Sequence, residues 1–112
     1  MTPEAKVKKK VVAQLKLMKA YYFYPVTGGY GRSGVPDIVG CYGGNFFGIE
    51  CKAGSNEPTP LQQKNLDDIV GQGGIALVVN EENASDVGKL LATLVQRNPN
   101  GEKKTDGLFK RF

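Results

Sequence analysis

The sequence predicts one α/β domain, a mixed central sheet flanked by helices, and three observations carry that prediction. Pro36 to Tyr42 and Asn45 to Ala53 are two strand-like runs separated by Gly43-Gly44, a hairpin signal because such tight turns need positive φ. Ile75 to Val79 is an unbroken apolar run, the pattern of a strand buried on both faces. A helical stretch separates it from the second strand. That makes a β-α-β crossover, for which right-handed parallel pairing is the default.

The remaining elements follow in chain order. A helix is expected from Thr2 to about Phe23. Thr2 or Pro3 opens it, and Glu4 suits its positive end. Val7, Val11, Leu15, Met18 and Tyr22 recur at spacings of three and four as one buried stripe. Lys6, Lys8, Lys9, Lys10, Lys16 and Lys19 fall mostly on other faces, as either a solvated surface or one that meets phosphates. Thr27 to Gly34 reads TGGYGRSG and is a loop. It lacks the Gly-Lys-Ser/Thr ending of a phosphate-binding loop, although Arg32 and Ser33 could still meet a phosphate there; a plain connection is the other reading.

After a polar loop from Gly54 to Pro58, Thr59 is the expected N-cap and Pro60 the first residue of a helix to about Val70. Leu61, Leu66, Ile69 and Val70 form its apolar face, and Gly71, Gly73 and Gly74 stop it. Ala84 to about Arg97 reads as another amphipathic helix with Ser85 as a cap. The whole of 1–112 is one domain, and its tail from Asn98 to Phe112 is polar and basic with an apolar patch at Leu108, Phe109 and Phe112. That tail is either solvated and flexible or a contact in a dimer.

Composition excludes several chemistries. The chain has 112 residues and no histidine, so Ser-His-Asp and Cys-His nucleophilic sites and His-bound metals are ruled out. Two cysteines cannot make a four-cysteine zinc or iron–sulfur site. No apolar run approaches a membrane span, and the opening MTPEAKVKKK lacks the apolar core of a secretory signal. A cytoplasmic protein with reduced thiols is expected. The net charge of +4 and pI of about 9.1 suit a polyanionic partner or simply solubility.

Counting outward from the Gly43-Gly44 turn pairs Tyr42 with Asn45, Cys41 with Phe46 and, further along, Asp37 with Glu50. Directly opposed residues share a face with Cβ atoms about 4.5–5.5 Å apart. Lys52 shares the face of Glu50, while Cys51 points away. The same count puts Cys41 and Cys51 on opposite faces, which disfavours a disulfide. Two close carboxylates repel unless a cation lies between them. Hard divalent cations prefer carboxylate, carbonyl and water oxygens, so Asp37 and Glu50 are candidate ligands, with the backbone carbonyl of Cys51 a third. Lys52 could orient water or offset charge on a phosphate. A surface ion-pair cluster is the plainer reading of the same trio.

Gly34-Val-Pro-Asp37-Ile-Val-Gly40 followed by Gly48-Ile-Glu50-Cys-Lys52-Ala-Gly54 resembles the Pro-Asp…Glu-x-Lys signature of the restriction-endonuclease-like nucleases. More closely, it resembles the virus-type replication-repair nuclease family, VRR-Nuc. Thr59-Pro-Leu-Gln62 is similar to that family's Ser/Thr-Pro-x-Gln stretch, and Gly73-Gly74 before Ile75 to Val79 to its turn into a buried strand. The resemblance covers roughly residues 4 to 90. Cys51 departs from it, standing where the family usually has an aliphatic residue.

The resemblance implies a restriction-endonuclease-like core with Asp37 and Glu50 holding Mg²⁺ or Mn²⁺ and Lys52 as the catalytic lysine. Gln62 would support the site or contact the scissile strand, with Gln63 a lesser candidate. Glu4 would be an outer carboxylate reaching the metal through water, or else only a charge at the helix end. Lys8, Lys9, Arg32 and Ser33 are the candidate DNA contacts. Stand-alone members resemble Holliday-junction resolvases, in which a homodimer presents paired active sites to a four-way junction. A structure-selective endodeoxyribonuclease on branched DNA is therefore expected. Flap or nicking cleavage and a silent DNA-binding module are the alternatives.

Overall fold

Thr2 caps the first helix, α1 (Pro3–Met18), by accepting from the Ala5 N–H at 3.1 Å. The computed structural model describes residues 1–26 and 31–97 together with the backbone of 109–111. Expectations for 27–30, 98–108 and 112 lie outside the described residues. Five strands follow one another across a single sheet: β1 (Tyr21–Phe23), β2 (Ile38–Tyr42), β3 (Asn45–Cys51), β4 (Ile75–Val79) and β5 (Phe109–Arg111). β1–β2 and β2–β3 are antiparallel, and β3–β4 and β4–β5 are parallel. The helix α2 (Pro60–Gly71) makes the crossover between β3 and β4, and α3 (Val87–Arg97) follows a 3₁₀ turn, Ala84–Asp86. The fold is thus mixed α/β, hairpin plus crossover, with helices flanking the sheet, and it is compatible with an α/β nuclease-like core. No helix among the described residues is long and apolar enough to cross a membrane.

The first helix ends earlier than its periodicity predicts. Lys19 takes the left-handed conformation at φ 60°, and the Lys19 and Ala20 N–H groups close the last turn on Lys16 and Leu15 carbonyls at 3.1 and 3.0 Å. The following Tyr21-Tyr22-Phe23 then pairs with Val39 to Cys41. Aromatic residues favour a pleated, half-buried surface, and a free sheet edge outweighs their helical spacing. Gly40 makes that edge accessible. A Cβ there would fall against the Tyr21 carbonyl and lie 2.6 Å from Phe47 Cζ.

The hairpin register agrees with the count from the turn. Gly43 and Gly44 stand at φ 57° and 82°, and pairing runs from Tyr42 with Asn45 to Ile38 with Ile49. β2 starts later and β3 ends earlier than expected, so Pro36 and Asp37 precede β2 and Lys52 follows β3. Cys41 is exposed, Cys51 is buried and both are free thiols. In the tail, Phe109–Arg111 adds a parallel strand beside Ala76 to Val78 of its own sheet. The tail's polar composition hides that role.

The core lies on both faces of β3 and β4. Phe47, Ile49, Ile75 and Leu77 are fully buried, each contributing about 1.5–3 kcal/mol relative to exposure. α1 and α3 pack together and cover one face, joined by Gln14, whose Oε1 accepts from the Gly88 N–H at 2.7 Å while its Nε2 donates to the Ala84 carbonyl. α2 covers the other face, where Ile69 lies over Gly48. The 3₁₀ turn has no side-chain cap from Ser85 or any neighbour.

Gly40→Ala is expected to lower stability by about 1–3 kcal/mol through overpacking. Gly71→Ala, at a helical position open to solvent, should be neutral or stabilising. Urea unfolding of the two variants checks both.

Candidate functional site

The segment before β2 is fixed from the α2 side of the sheet. Asn65 of α2 is buried and its Nδ2 donates to the Ser33 carbonyl at 3.1 Å and to Leu61 at 2.9 Å. Gly34 turns at φ +76° beneath Leu61. Pro36 is buried, and a Cβ on Gly48 would lie 2.8 Å from its ring. The missing side chain at Gly48 therefore lets the Pro-Asp corner sit close on the sheet.

That corner places Asp37 at the end of the hairpin ladder. Its Oδ2 accepts from the Cys51 N–H at 2.8 Å, the place a backbone carbonyl would take in a continuing ladder. Cys51 enters the site by this N–H. Continued by one pair, the observed register sets Asp37 opposite Glu50.

Glu50 is 1% exposed, and its Oε2 has no hydrogen-bond partner. Burial, a hydrogen bond with the Asp37 carboxyl and the Asp37 charge push its pKa up to about 8, against the opposing charge of Lys52. A lone buried carboxylate costs several kcal/mol, so burial favours the protonated form of Glu50 when no cation is present. Burial, followed by the Asp37 and Glu50 charges, pushes the Cys51 thiol up to about 12. Lys8 opposes that rise and Glu4 adds to it, which brings the first turns of α1 within electrostatic reach of the site.

Asp37 opens on a cleft of about 280 Å³ whose walls include Lys8, Tyr24, Pro25, Pro36 and Gln62. Gln62 stands there because Thr59 and Gln62 form a reciprocal capping box. The Thr59 N–H donates to Gln62 Oε1 at 2.9 Å, and the Gln62 N–H donates to the Thr59 hydroxyl at 3.2 Å. Lys52 opens instead on a neighbouring hollow of about 130 Å³ beside Glu57 and Asn80. The loop forming that hollow is tied down by Glu81 Oε1, which accepts from the Gly54 N–H at 2.6 Å.

Asp37, Gln62 and Lys8 thus line one cleft, Glu50 is buried beside Asp37, Lys52 opens on the other hollow, and Glu4 is exposed. Arg32 and Ser33 line neither. Arg32 is ion-paired to Asp68 at 2.6 Å and borders a separate hollow with Phe46 and Asn65. Ser33 contributes its carbonyl to Asn65. Lys9 is exposed and is not a wall of the Asp37 cleft, and Gln63 binds Asp67 at 3.0 Å. Sequence reasoning missed Tyr24, because extending the first helix to Phe23 hid the chain's turn along the sheet edge. The readable signal was an aromatic run ended by Pro25.

No group of three or more His, Cys, Asp or Glu side chains among the described residues could hold a metal ion; the oxygen donors form a pair. Such a pair still fits Mg²⁺ or Mn²⁺, which keep several water ligands and are commonly bound by one or two carboxylates. The unpartnered Glu50 oxygen supplies the local reason for a cation. No protein-family model matches the chain, and no curated protein matches it.

The raised Glu50 pKa has a definite pH signature. Between its ordinary value near 4.5 and about 8 the folded chain binds more protons than the unfolded one, so stability is greatest at the acid end and falls as pH rises. Melting temperature in chelator should decline from pH 5 to 8, and Glu50→Gln should flatten that decline. The exposed Asp68, held below the usual carboxylate range by Lys64 and Arg32, titrates outside this window.

Proposed function

We propose that the chain is a metal-dependent endodeoxyribonuclease, a phosphodiester hydrolase that uses Mg²⁺ or Mn²⁺ at Asp37 and Glu50. The observation that carries this reading is the buried, half-satisfied Glu50 against Asp37, which lines a cleft together with Lys8 and Gln62. A well-packed apolar pair at the same place would be as stable or more so. Retaining two carboxyls there is best explained by a ligand that needs them.

When bound, the cation would neutralise phosphoryl charge and lower the pKa of water. Asp37 and Glu50 would hold it, with the backbone carbonyl of Cys51 as a third oxygen, and the Cys51 N–H orients Asp37. Lys52, whose charge acts on Glu50, would offset negative charge developing at the phosphate or orient water. Lys8 attracts the strand's phosphate into the cleft, and Gln62 contacts the same strand. Glu4 keeps an outer, water-mediated role.

The Pro-Asp…Glu-x-Lys resemblance carries the reading further, to a structure-selective enzyme on branched DNA. The preferred substrate would be a four-way junction, resolved by a homodimer.

A panel of four-way junctions, flaps, duplexes and single strands, with Mg²⁺, Mn²⁺ or chelator, tests this. Paired symmetric nicks in the junction are expected. Cuts confined to flaps would replace the resolvase reading with a flap or nicking nuclease, and binding without cutting would favour a silent DNA-binding module. Lys52→Ala should lower cleavage by about 10²–10³-fold with the fold intact. Asp37→Ala should abolish Mg²⁺ binding measured by calorimetry, and unchanged affinity would remove Asp37 from the ligand set. Because a proton on Glu50 competes with the cation, Mg²⁺ affinity should rise as pH approaches 8.

A further inference from the structure

We infer that Tyr24 is the stacking platform for an unpaired base beside the scissile phosphate, so that the substrate is a DNA strand already unstacked where it is cut. This rests on the nuclease reading above and specifies its substrate.

Tyr24 is 50% exposed although it lines the same cleft as Asp37. Its position is defined from three sides. The Lys8 ammonium stands 5.6 Å from the ring centroid. The Tyr22 ring meets it edge-on, with centroids 6.2 Å apart and planes at 65°. Pro25 follows directly and restricts the Tyr24 backbone to extended conformations. An aromatic ring held this way loses little freedom on binding, and the residue stays half exposed with Lys8 over one side of the ring.

The dimensions of the site select the form of nucleic acid. A cleft of about 280 Å³ lies near the lower end of ordinary small-ligand pockets, roughly 300 Å³. It has room for a single nucleotide. Glu50, 1% exposed, lies beneath the surface, so the phosphate must come inward to reach the carboxyl pair. A nucleotide held in a continuous stack cannot follow its phosphate in. One that has left the stack can, and its base then needs a new π-face. Tyr24 offers that face. Lys8, against the same ring, supplies the positive charge that a neighbouring phosphate requires.

Fluorescence anisotropy in chelator, where nothing is cut, tests this with a labelled single strand, a bulged duplex and a fully paired duplex. Tyr24→Ala and Tyr24→Leu should weaken binding of the first two by roughly 10- to 100-fold and leave the paired duplex unchanged. Tyr24→Phe should bind as the parent does. Thermal melting of each variant separates lost stacking from lost folding, and Leu keeps apolar bulk without an aromatic face. Equal losses on all three DNAs, or none on any, would overturn the role of Tyr24 while leaving the nuclease reading in place. Failure of the parent protein to bind any of the three, or a labelled four-way junction run beside them, would overturn both.

Discussion

Gly43 and Gly44 turn the chain at positive φ, and their two-residue connection leaves β2 and β3 a single register, from Tyr42 with Asn45 to Ile38 with Ile49. A slip by one residue would turn every side chain to the other face. Phe47 and Ile49 would then leave the α1 side of the sheet and Glu50 would enter it. Fully buried apolar residues at alternate positions oppose that slip by several kcal/mol together. The hairpin thus fixes the core and the carboxyl pair at once: the register that buries Ile49 also brings Asp37 to Glu50.

Holding Glu50 inside the protein carries a cost, and the surrounding structure limits it in three ways. A pKa raised to about 8 favours the uncharged form of Glu50. The Cys51 N–H satisfies an Asp37 oxygen. Lys52 opposes the rise in the Glu50 pKa. None of these partners the Oε2 atom. Around it the scaffold is rigid: Gly48 admits Pro36, Asn65 anchors the preceding loop, and Glu81 holds the loop after Lys52. This combination of a fixed frame and one unsatisfied oxygen is what would be expected where a ligand completes the site.

The cleft draws on elements far apart in sequence. Lys8 comes from the second turn of α1, Tyr24 from the chain beyond β1, and Gln62 from the first turn of α2. Gln62 serves the helix and the cleft together, since the capping box that starts α2 also fixes where its side chain stands. Arg32 illustrates the opposite case. Its charge suits a phosphate, but Asp68 lies close enough to hold it on another part of the surface.

Local chemistry made much of this legible in the sequence. Turn glycines, Thr-Pro helix starts and the unbroken Ile75–Val79 run determined the hairpin, the crossover and the positions of α2 and β4. The fixed alternation of strands set Asp37 opposite Glu50 by counting from the turn alone, whereas Lys52, just past β3, opens on another hollow. Competition between distant partners was left to the tertiary structure. The aromatic run after Lys19 kept a helical spacing, and only the edge beside Gly40 turned it into β1. Phe109–Arg111 looked like solvated tail until β4 offered an edge. Arg32 and Lys8 were equivalent cations in the sequence, and packing sent one to Asp68 and the other to Tyr24. The sequence by itself therefore determined which groups the hairpin carries, whereas long-range packing decided how deeply Glu50 is buried and what walls the cleft.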